Sequence, residues 1–170
     1  MAKSFFEVLI NNHFINNFLV YKSINCVRMV NIMNKYCFVE QEDKKDCGIA
    51  ALATILMYYN KNYSVKKLKG IMKYDRTMRV NLFQLYDTAI NLGFESKGVI
   101  LESVEAFKYI KLPCIAQIEI NKNSLHFIVL YEIKKNLITI SDPSSVLKTI
   151  LLQNFLDCFT GKILMIYLKE

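Results

Sequence analysis

The most informative segment of this chain reads Gln41-Glu42-Asp43-Lys44-Lys45-Asp46-Cys47-Gly48-Ile49-Ala50-Ala51-Leu52-Ala53. A charged loop changes here into an alanine-rich run, and alanine is the strongest helix former. Apolar residues then recur at helical spacing from Ile49 to Tyr59. Asp46 is a residue type that favours the N-cap position, and the polar residues 60–62 end the pattern. The segment therefore predicts an apolar helix that begins next to Cys47.

Cys47 lies in the first turn of this predicted helix. Free backbone N–H groups and the helix dipole favour an anion there, which is a setting that lowers the pKa of a thiol. Gly48 is expected to leave the thiol sterically open, whereas the charge of Asp46 slightly opposes ionisation. The other cysteines, Cys26, Cys37, Cys114 and Cys158, lie in no comparable setting. Position alone leaves Cys47 as either a reactive thiol or a small buried residue.

A thiol nucleophile needs a base, and the chain contains two histidines. His13 lies in an irregular N-terminal region, whereas His126 begins an apolar strand directly after a polar turn. A hairpin centred near Lys135 would place residue 126 opposite residue 144, and so bring Asp142 within reach of His126. A carboxylate there would orient the imidazole. The alternatives are a histidine bonded within the core and an Asp-Pro pair that only opens a turn.

Gln41 precedes Cys47 by six positions in the charged loop. A side-chain amide at this place would donate a hydrogen bond to an oxyanion beside the thiol, together with the backbone N–H of Cys47. The alternative is a glutamine that is merely solvated.

The remaining pattern divides the chain into helices followed by strands. Further helices are predicted after Ser64 and after Asn81, the second of which ends at Gly93. Helices followed by antiparallel strands define an α+β fold, and no internal repeat is visible. The predicted strands cover residues 94–100, 114–120, 125–133, 137–140, 146–150 and 163–168, with short helices over 103–110 and 151–159. Residues 37–39 are predicted to be a short strand or an extended entry to the domain.

Composition excludes several classes of protein. In 170 residues, 53% are hydrophobic and 22% charged, which is enough apolar material for a core. The net charge of +7 is not concentrated in a basic run, and Lys66, Lys67 and Lys69 are predicted to form a solvated helix face. We therefore predict no nucleic-acid partner. The five cysteines form no C-x-x-C pair, so neither a disulfide scaffold nor a metal site is expected, and no cofactor is predicted.

The first residues differ from the rest of the chain. Residues 1–36 are rich in asparagine and show no clear period, so they are predicted to be an N-terminal extension, loosely ordered or helical. The compact domain is expected to cover residues 37–170. No stretch approaches the ~20 apolar residues of a membrane-spanning helix, and no signal peptide is evident. A soluble, cytoplasmic protein is expected.

Taken together, the motifs resemble peptidase family C39, the bacteriocin-processing endopeptidases usually found as the N-terminal domain of peptide-exporting ABC transporters. The resemblance runs in order from about Cys37 to the C-terminus. It rests on the pattern Q-x4-D-C-G-x-A together with three later motifs, Leu92-Gly93-Phe94, His126-Phe127-Ile128-Val129 and Asp142-Pro143.

This resemblance implies a papain-like cysteine peptidase fold, with N-terminal helices packed on a C-terminal antiparallel sheet. Cys47 would be the nucleophile, His126 the general base and then acid, Asp142 the group that fixes the imidazole, and Gln41 the oxyanion donor. The implied substrate is a precursor peptide whose leader ends in Gly-Gly and is cut after the second glycine. The implied partner is an ABC transporter, at the inner face of the cell membrane.

Three points stay open at this stage. A domain of this kind that binds leaders without cutting them is the main alternative, and amide transfer or deamidation by the same thiol is another. The loop from Asp75 to Arg79 departs from the Gly-Thr-Ser segment common in the family. The chain carries no Walker motif G-x-x-x-x-G-K-[ST]. It is therefore expected to be either a stand-alone peptidase or a domain whose transporter half has been cut away, lost or supplied elsewhere.

Overall fold

The computed structural model describes residues 6–9, 36–75, 77–121 and 124–169. Most of the predicted N-terminal extension, including His13 and Cys26, lies outside the described residues. Residues Phe6–Leu9 form a strand, β1, that the sequence pattern did not predict. The division of the chain near residue 37 stays a prediction.

The next three elements are α-helices, α1 (Cys47–Tyr58), α2 (Val65–Ile71) and α3 (Leu82–Asn91). Helix α1 is buried on all sides from Cys47 to Leu56, which its small alanine side chains permit. It is therefore the central helix of the domain. Its start at Cys47 agrees with the prediction.

Polar caps begin the two following helices, as predicted. The Ser64 side chain accepts a hydrogen bond from the Lys67 N–H at 3.2 Å at the start of α2. At the start of α3, Asn81 and Gln84 form a capping box, in which each side chain accepts the other residue's backbone N–H at 2.9 Å.

Seven strands of the described chain form one sheet. After β1, they are β2 (Phe94–Leu101), β3 (Cys114–Asn121), β4 (Ser124–Lys134), β5 (Leu137–Ser141), β6 (Leu147–Leu151) and β7 (Phe159–Leu168). Their order across the sheet is β1-β2-β7-β3-β4-β5-β6. Strand β1 runs parallel to β2, and all other neighbouring strands are antiparallel.

Helices cover both faces of this sheet. Ile115, Phe127 and Val129 pack in one cluster with residues of α1, α2 and α3. The alternate residues of the same strands pack against a 3₁₀ helix (Val104–Tyr109) and a short helix, α4 (Leu152–Leu156). Strands buried on both faces read as continuous apolar runs, as the β4 sequence does. The predicted α+β class, with N-terminal helices on an antiparallel sheet, is confirmed.

The end of the chain differs in its boundaries from the prediction. The predicted helix over 151–159 is shorter, and β7 begins at Phe159 rather than at Ile163. Strand β7 begins earlier than predicted because Phe159 already pairs with Ile118 of β3. Gly161, at φ 80°, follows at the irregularity in this ladder. In the described part of the chain, no helix is long and apolar enough to cross a membrane.

Candidate active site

Cys47 is the first residue of α1, and its position depends on Gly48. A Cβ atom on Gly48 would lie 2.5 Å from Cγ2 of Val80 and 3.0 Å from Cδ2 of Phe127. Only glycine therefore allows the start of α1 to approach strand β4 this closely. The expectation that Gly48 leaves the thiol open is wrong in this respect, because Cys47 is 2% exposed. The glycine instead brings the sulfur close to β4.

His126 lies at the start of β4 and contacts both predicted partners. Its Nε2 is 2.9 Å from Oδ1 of Asp142. The ring also interacts with the Cys47 thiol, and each of these two groups shifts the pKa of the other. Since Asp142 engages Nε2, Nδ1 is the nitrogen that remains for the sulfur. The β4–β5 register pairs Val129 with Ser141, and its continuation brings Asp142 beside His126 as predicted.

Asp142 is held by several donors besides the imidazole. Its Oδ1 accepts hydrogen bonds from the Ser144 N–H at 3.0 Å and from the Ser144 hydroxyl at 2.7 Å. Its Oδ2 lies 3.4 Å from Nζ of Lys148. Burial disfavours the charged form, but the bonds from His126 and Ser144 prevail, so the pKa of Asp142 lies well below its usual range. The carboxylate is thus a fixed anion beside His126.

The protonation of Cys47 and His126 is shifted in opposite directions. Burial opposes ionisation of Cys47, but the hydrogen bond and charge of His126, the Phe127 N–H and the charge of Arg79 outweigh it, so the thiol pKa is lowered. Burial likewise opposes the charged imidazole, yet the bonds to Asp142 and Cys47 raise the pKa of His126 to about 9. These shifts favour a thiolate–imidazolium pair over the neutral pair.

The other described cysteines behave in the opposite way. Burial raises the thiol pKa of Cys37, Cys114 and Cys158 above its ordinary value. Among the described thiols, a lowered pKa is therefore found at Cys47 alone.

Gln41 is tied to the Asp142 turn. Its backbone N–H donates to the carbonyl oxygen of Pro143 at 2.9 Å, which joins the loop before α1 to the residue after Asp142. Its Oε1 is buried and has no hydrogen-bond partner within the described residues. Gln41 therefore lies next to the Asp142–Pro143 turn, and its role as an oxyanion donor stays a prediction.

Two basic residues near the thiol were not recognised in the sequence. The sequence pattern predicts Lys69 on a solvated helix face, and this is wrong. Its Nζ lies 2.6 Å from Oδ2 of the fully buried Asp46 and 3.0 Å from Oε2 of Glu42. The prediction overlooked that Lys69 follows buried Val65 by four residues in α2, and so lies on the same helix face. Arg79 donates to the Leu125 carbonyl oxygen at 2.9 Å, beside His126, and no sequence signal marked it.

Asp46 occupies the predicted N-cap position of α1 but does not cap it. Its side chain makes no hydrogen bond to the first helical turn. Oδ2 instead accepts the backbone N–H of Asp43 at 3.2 Å and pairs with Lys69. The first turn of α1 is left with backbone N–H groups that the Asp46 side chain does not use.

No metal site accompanies this arrangement in the part of the chain that the structure describes, where no three His, Cys, Asp or Glu side chains are grouped to hold an ion. The prediction that neither a metal nor a cofactor takes part stays a prediction.

A buried helix that presents a thiol to a histidine on a sheet, with a carboxylate behind the histidine, defines a papain-like cysteine peptidase fold. Residues 35–170 match the model of the Peptidase C39 family, and the chain belongs to this family.

Known proteins agree with this assignment. The chain is 33% identical, over 119 residues, to the SPbeta prophage-derived sublancin-168-processing and transport ATP-binding protein SunT of Bacillus subtilis (strain 168). That match covers 67% of this chain and 16% of SunT, so the chain corresponds to a small part of this relative.

Two solved structures have the same fold. The peptidase domain of Streptococcus ComA, a bi-functional ABC transporter involved in a quorum-sensing pathway, superposes with a TM-score of 0.70 at 25% identity, covering 79% of this chain and 99% of that domain. A double glycine motif protease from an AMS/PCAT transporter, in complex with the leader peptide, gives a TM-score of 0.71 at 29% identity, covering 79% of this chain and 93% of the other.

Proposed function

We propose that this protein is a cysteine endopeptidase that removes a leader from a precursor peptide by cleaving after a Gly-Gly site. The observation that carries the proposal is the linked set of Cys47, His126 and Asp142, with the thiol pKa lowered and the imidazole pKa raised. A nucleophile, a proton carrier and an orienting carboxylate are the groups that acyl transfer requires.

In the acylation step, the Cys47 thiolate attacks the carbonyl carbon of the scissile peptide bond. The carbonyl oxygen becomes an oxyanion, which we assign to the Cys47 backbone N–H and the Gln41 side-chain amide. The oxyanion then reforms the carbonyl, and the carbon–nitrogen bond breaks. The His126 imidazolium gives its proton to the departing amine, which leaves a thioester on Cys47 and a neutral imidazole.

In the deacylation step, His126 acts as a base. It takes a proton from water while the water oxygen attacks the thioester carbon. The carbon–sulfur bond breaks and the leader is released as a carboxylic acid, which loses its proton to solvent. Cys47 and His126 return to the thiolate–imidazolium pair. Asp142, bonded to Nε2 at 2.9 Å, holds the ring with Nδ1 toward the sulfur in both steps.

The proposed substrate class follows from access to the thiol and from the relatives. Cys47 is 2% exposed, so the approach to its sulfur is narrow and favours residues without a Cβ atom. One structural relative is a double glycine motif protease in complex with its leader peptide, and SunT is a processing and transport protein. We infer that the partner of this chain is an exporter of the ABC type, supplied within the same protein or by another.

The test is incubation of the protein with a precursor peptide that carries a Gly-Gly leader, followed by mass spectrometry. A single cut after the second glycine is expected, and Cys47→Ala should reduce its rate at least ~10³-fold. Cys158→Ala serves as the control, because this half-buried thiol has a raised pKa. Cleavage that survives Cys47→Ala would refute the assigned mechanism. Leader binding without any cleavage by the unaltered protein would favour a non-cleaving binding domain instead.

A further inference from the structure

Asp46 is an unusual neighbour for a reactive thiol. It precedes Cys47 directly, its side chain is 0% exposed, and its own carbonyl oxygen accepts the Ala50 N–H as the first hydrogen bond of α1. A buried carboxylate at this position disfavours a second negative charge on the adjacent sulfur. The sequence alone therefore places an opposing charge beside the proposed nucleophile.

Lys69 compensates this charge from another helix. Its Nζ lies 2.6 Å from Oδ2 of Asp46, and its side chain is 18% exposed, so the pair is screened little by solvent. The same ammonium group contacts Oε2 of Glu42 at 3.0 Å. Lys69 thus connects α2 to the loop before α1 and to the residue that precedes Cys47.

We propose that Lys69 is a positioning residue for Cys47, whose ammonium group neutralises Asp46 and fixes the first turn of α1, so that the sulfur ionises beside His126. The relevance of this role to cleavage rests on the proposed peptidase function. The role itself is measured at the thiol and does not require a substrate.

Other charged groups around the thiol come from separate elements. His126 approaches from β4, and Arg79 approaches from the loop before α3. Tyr74, after α2, carries a buried hydroxyl whose pKa burial raises, with Asp46, Asp43 and Cys47 adding to the effect. These side chains are all retained when Lys69 alone is replaced, although Lys69 also lowers the pKa of Tyr74 and contacts Glu42. The variant that also removes the Asp46 charge therefore decides whether a change in the thiol pKa reports on the compensation of Asp46.

The test measures the rate of Cys47 alkylation by iodoacetamide against pH, with the modified peptide identified by mass spectrometry. Lys69→Met should raise the thiol pKa by about one unit, which lowers the alkylation rate ~10-fold at a pH below both values. Lys69→Arg should retain the normal profile, because it keeps the positive charge. Lys66→Met is the matched control, since Lys66 is exposed on the same helix and its loss changes the net charge equally.

The double variant Lys69→Met with Asp46→Asn separates charge from packing. It removes the anion together with its partner, so the normal profile should return. A folded Lys69→Met protein with an unshifted profile would overturn the inference, as would a shift that the double variant does not reverse. If Lys69→Met does not fold, the single variant Asp46→Asn tests the proposal. It removes the anion but keeps the Lys69 ammonium group, so it should lower the thiol pKa. A rise in the thiol pKa would contradict the proposal. A shifted profile in a protein that cuts no Gly-Gly precursor would refute the peptidase function and leave this inference intact.

Discussion

Replacing Asp142 by asparagine should lower the pKa of His126 and narrow the pH range of activity from its alkaline side. The variant removes the negative charge but keeps a carbonyl oxygen that can accept the Nε2–H. A hydrogen bond to a charged partner contributes about 1.5–3 kcal/mol, against about 0.5–1.5 kcal/mol for a neutral pair. The Asp142 side chain is 14% exposed, so solvent reduces this difference little. A loss of ~1.4 kcal/mol corresponds to a pKa lower by about one unit.

The sign follows from the two titrations. The imidazolium of His126 is present below its raised pKa of about 9, and the thiolate of Cys47 is present above its own lowered pKa. Activity that needs both forms lies between these limits. Because Asp142→Asn lowers only the upper limit, the alkaline limb should move down by about one pH unit while the acid limb moves little.

The assay is kcat/KM for precursor cleavage measured from about pH 5 to about pH 10, where the limbs report the titrations of the free enzyme. Asp87→Asn provides the control, because Asp87 is an exposed carboxylate on α3. An alkaline limb that stays in place in Asp142→Asn would refute the argument that Asp142 sets the His126 pKa. Abolished cleavage at every pH would assign Asp142 a different role.

Two further changes test the oxyanion donor and the helix approach. Gln41→Ala should lower kcat about 10²-fold with little change in KM, because the amide is proposed to contact only the oxyanion. Gln153→Ala, on the surface of α4, is the control and should leave kcat unchanged. Equal kcat values in the two variants would show that Gln41 takes no part in the mechanism. Gly48→Ala should destabilise the fold by about 1–3 kcal/mol, since its Cβ would lie 2.5 Å from Cγ2 of Val80. Gly70→Ala in α2 is the control, because beyond its own chain neighbours and helix backbone no described atom lies within 4 Å of the new Cβ. It should leave thermal stability unchanged or raise it, and equal melting temperatures for the two variants would contradict the packing argument.

Local patterns were sufficient to predict most elements that position the site. The start of α1 and the caps of α2 and α3 depend on residues close in sequence, and Ser64 and Asn81 make the side-chain bonds expected of them. The position of the hairpin turn fixes the β4–β5 register, and therefore brings His126 close to Asp142.

Features that depend on distant contacts could not be predicted in the same way. Asp46 has the residue type and position of an N-cap, but its carboxylate bonds to Lys69, which lies 23 positions further along the chain. The sequence suggests that Gly48 keeps the Cys47 thiol accessible. In the structure, its lack of a Cβ is instead needed for the start of α1 to contact Val80 and Phe127. Strand β1 pairs with β2, more than eighty residues away, so its short sequence carries no local sign of a partner.

Burial alone does not explain the reactivity proposed for Cys47, as a comparison with Cys114 demonstrates. The two residues are 2% and 0% exposed. In β3, burial is the cause that acts on Cys114, and it raises the thiol pKa far above the ordinary value. At Cys47 burial also acts to raise the thiol pKa, but His126 and the Phe127 N–H of β4, together with Arg79 of the loop before α3, outweigh it.

The lowered pKa of the Cys47 thiol therefore depends on the close contact of α1 with β4, which is the contact that Gly48 permits. The Phe127 N–H that stabilises the Cys47 sulfur belongs to the same residue whose ring would lie 3.0 Å from a Cβ on Gly48. A methyl group at Gly48 that separates the helix from the strand should consequently weaken the hydrogen bonds to the sulfur. In a Gly48→Ala protein that still folds, we expect the Cys47 pKa to rise toward its ordinary value, and an unchanged alkylation profile would show that the ionisation does not depend on this contact.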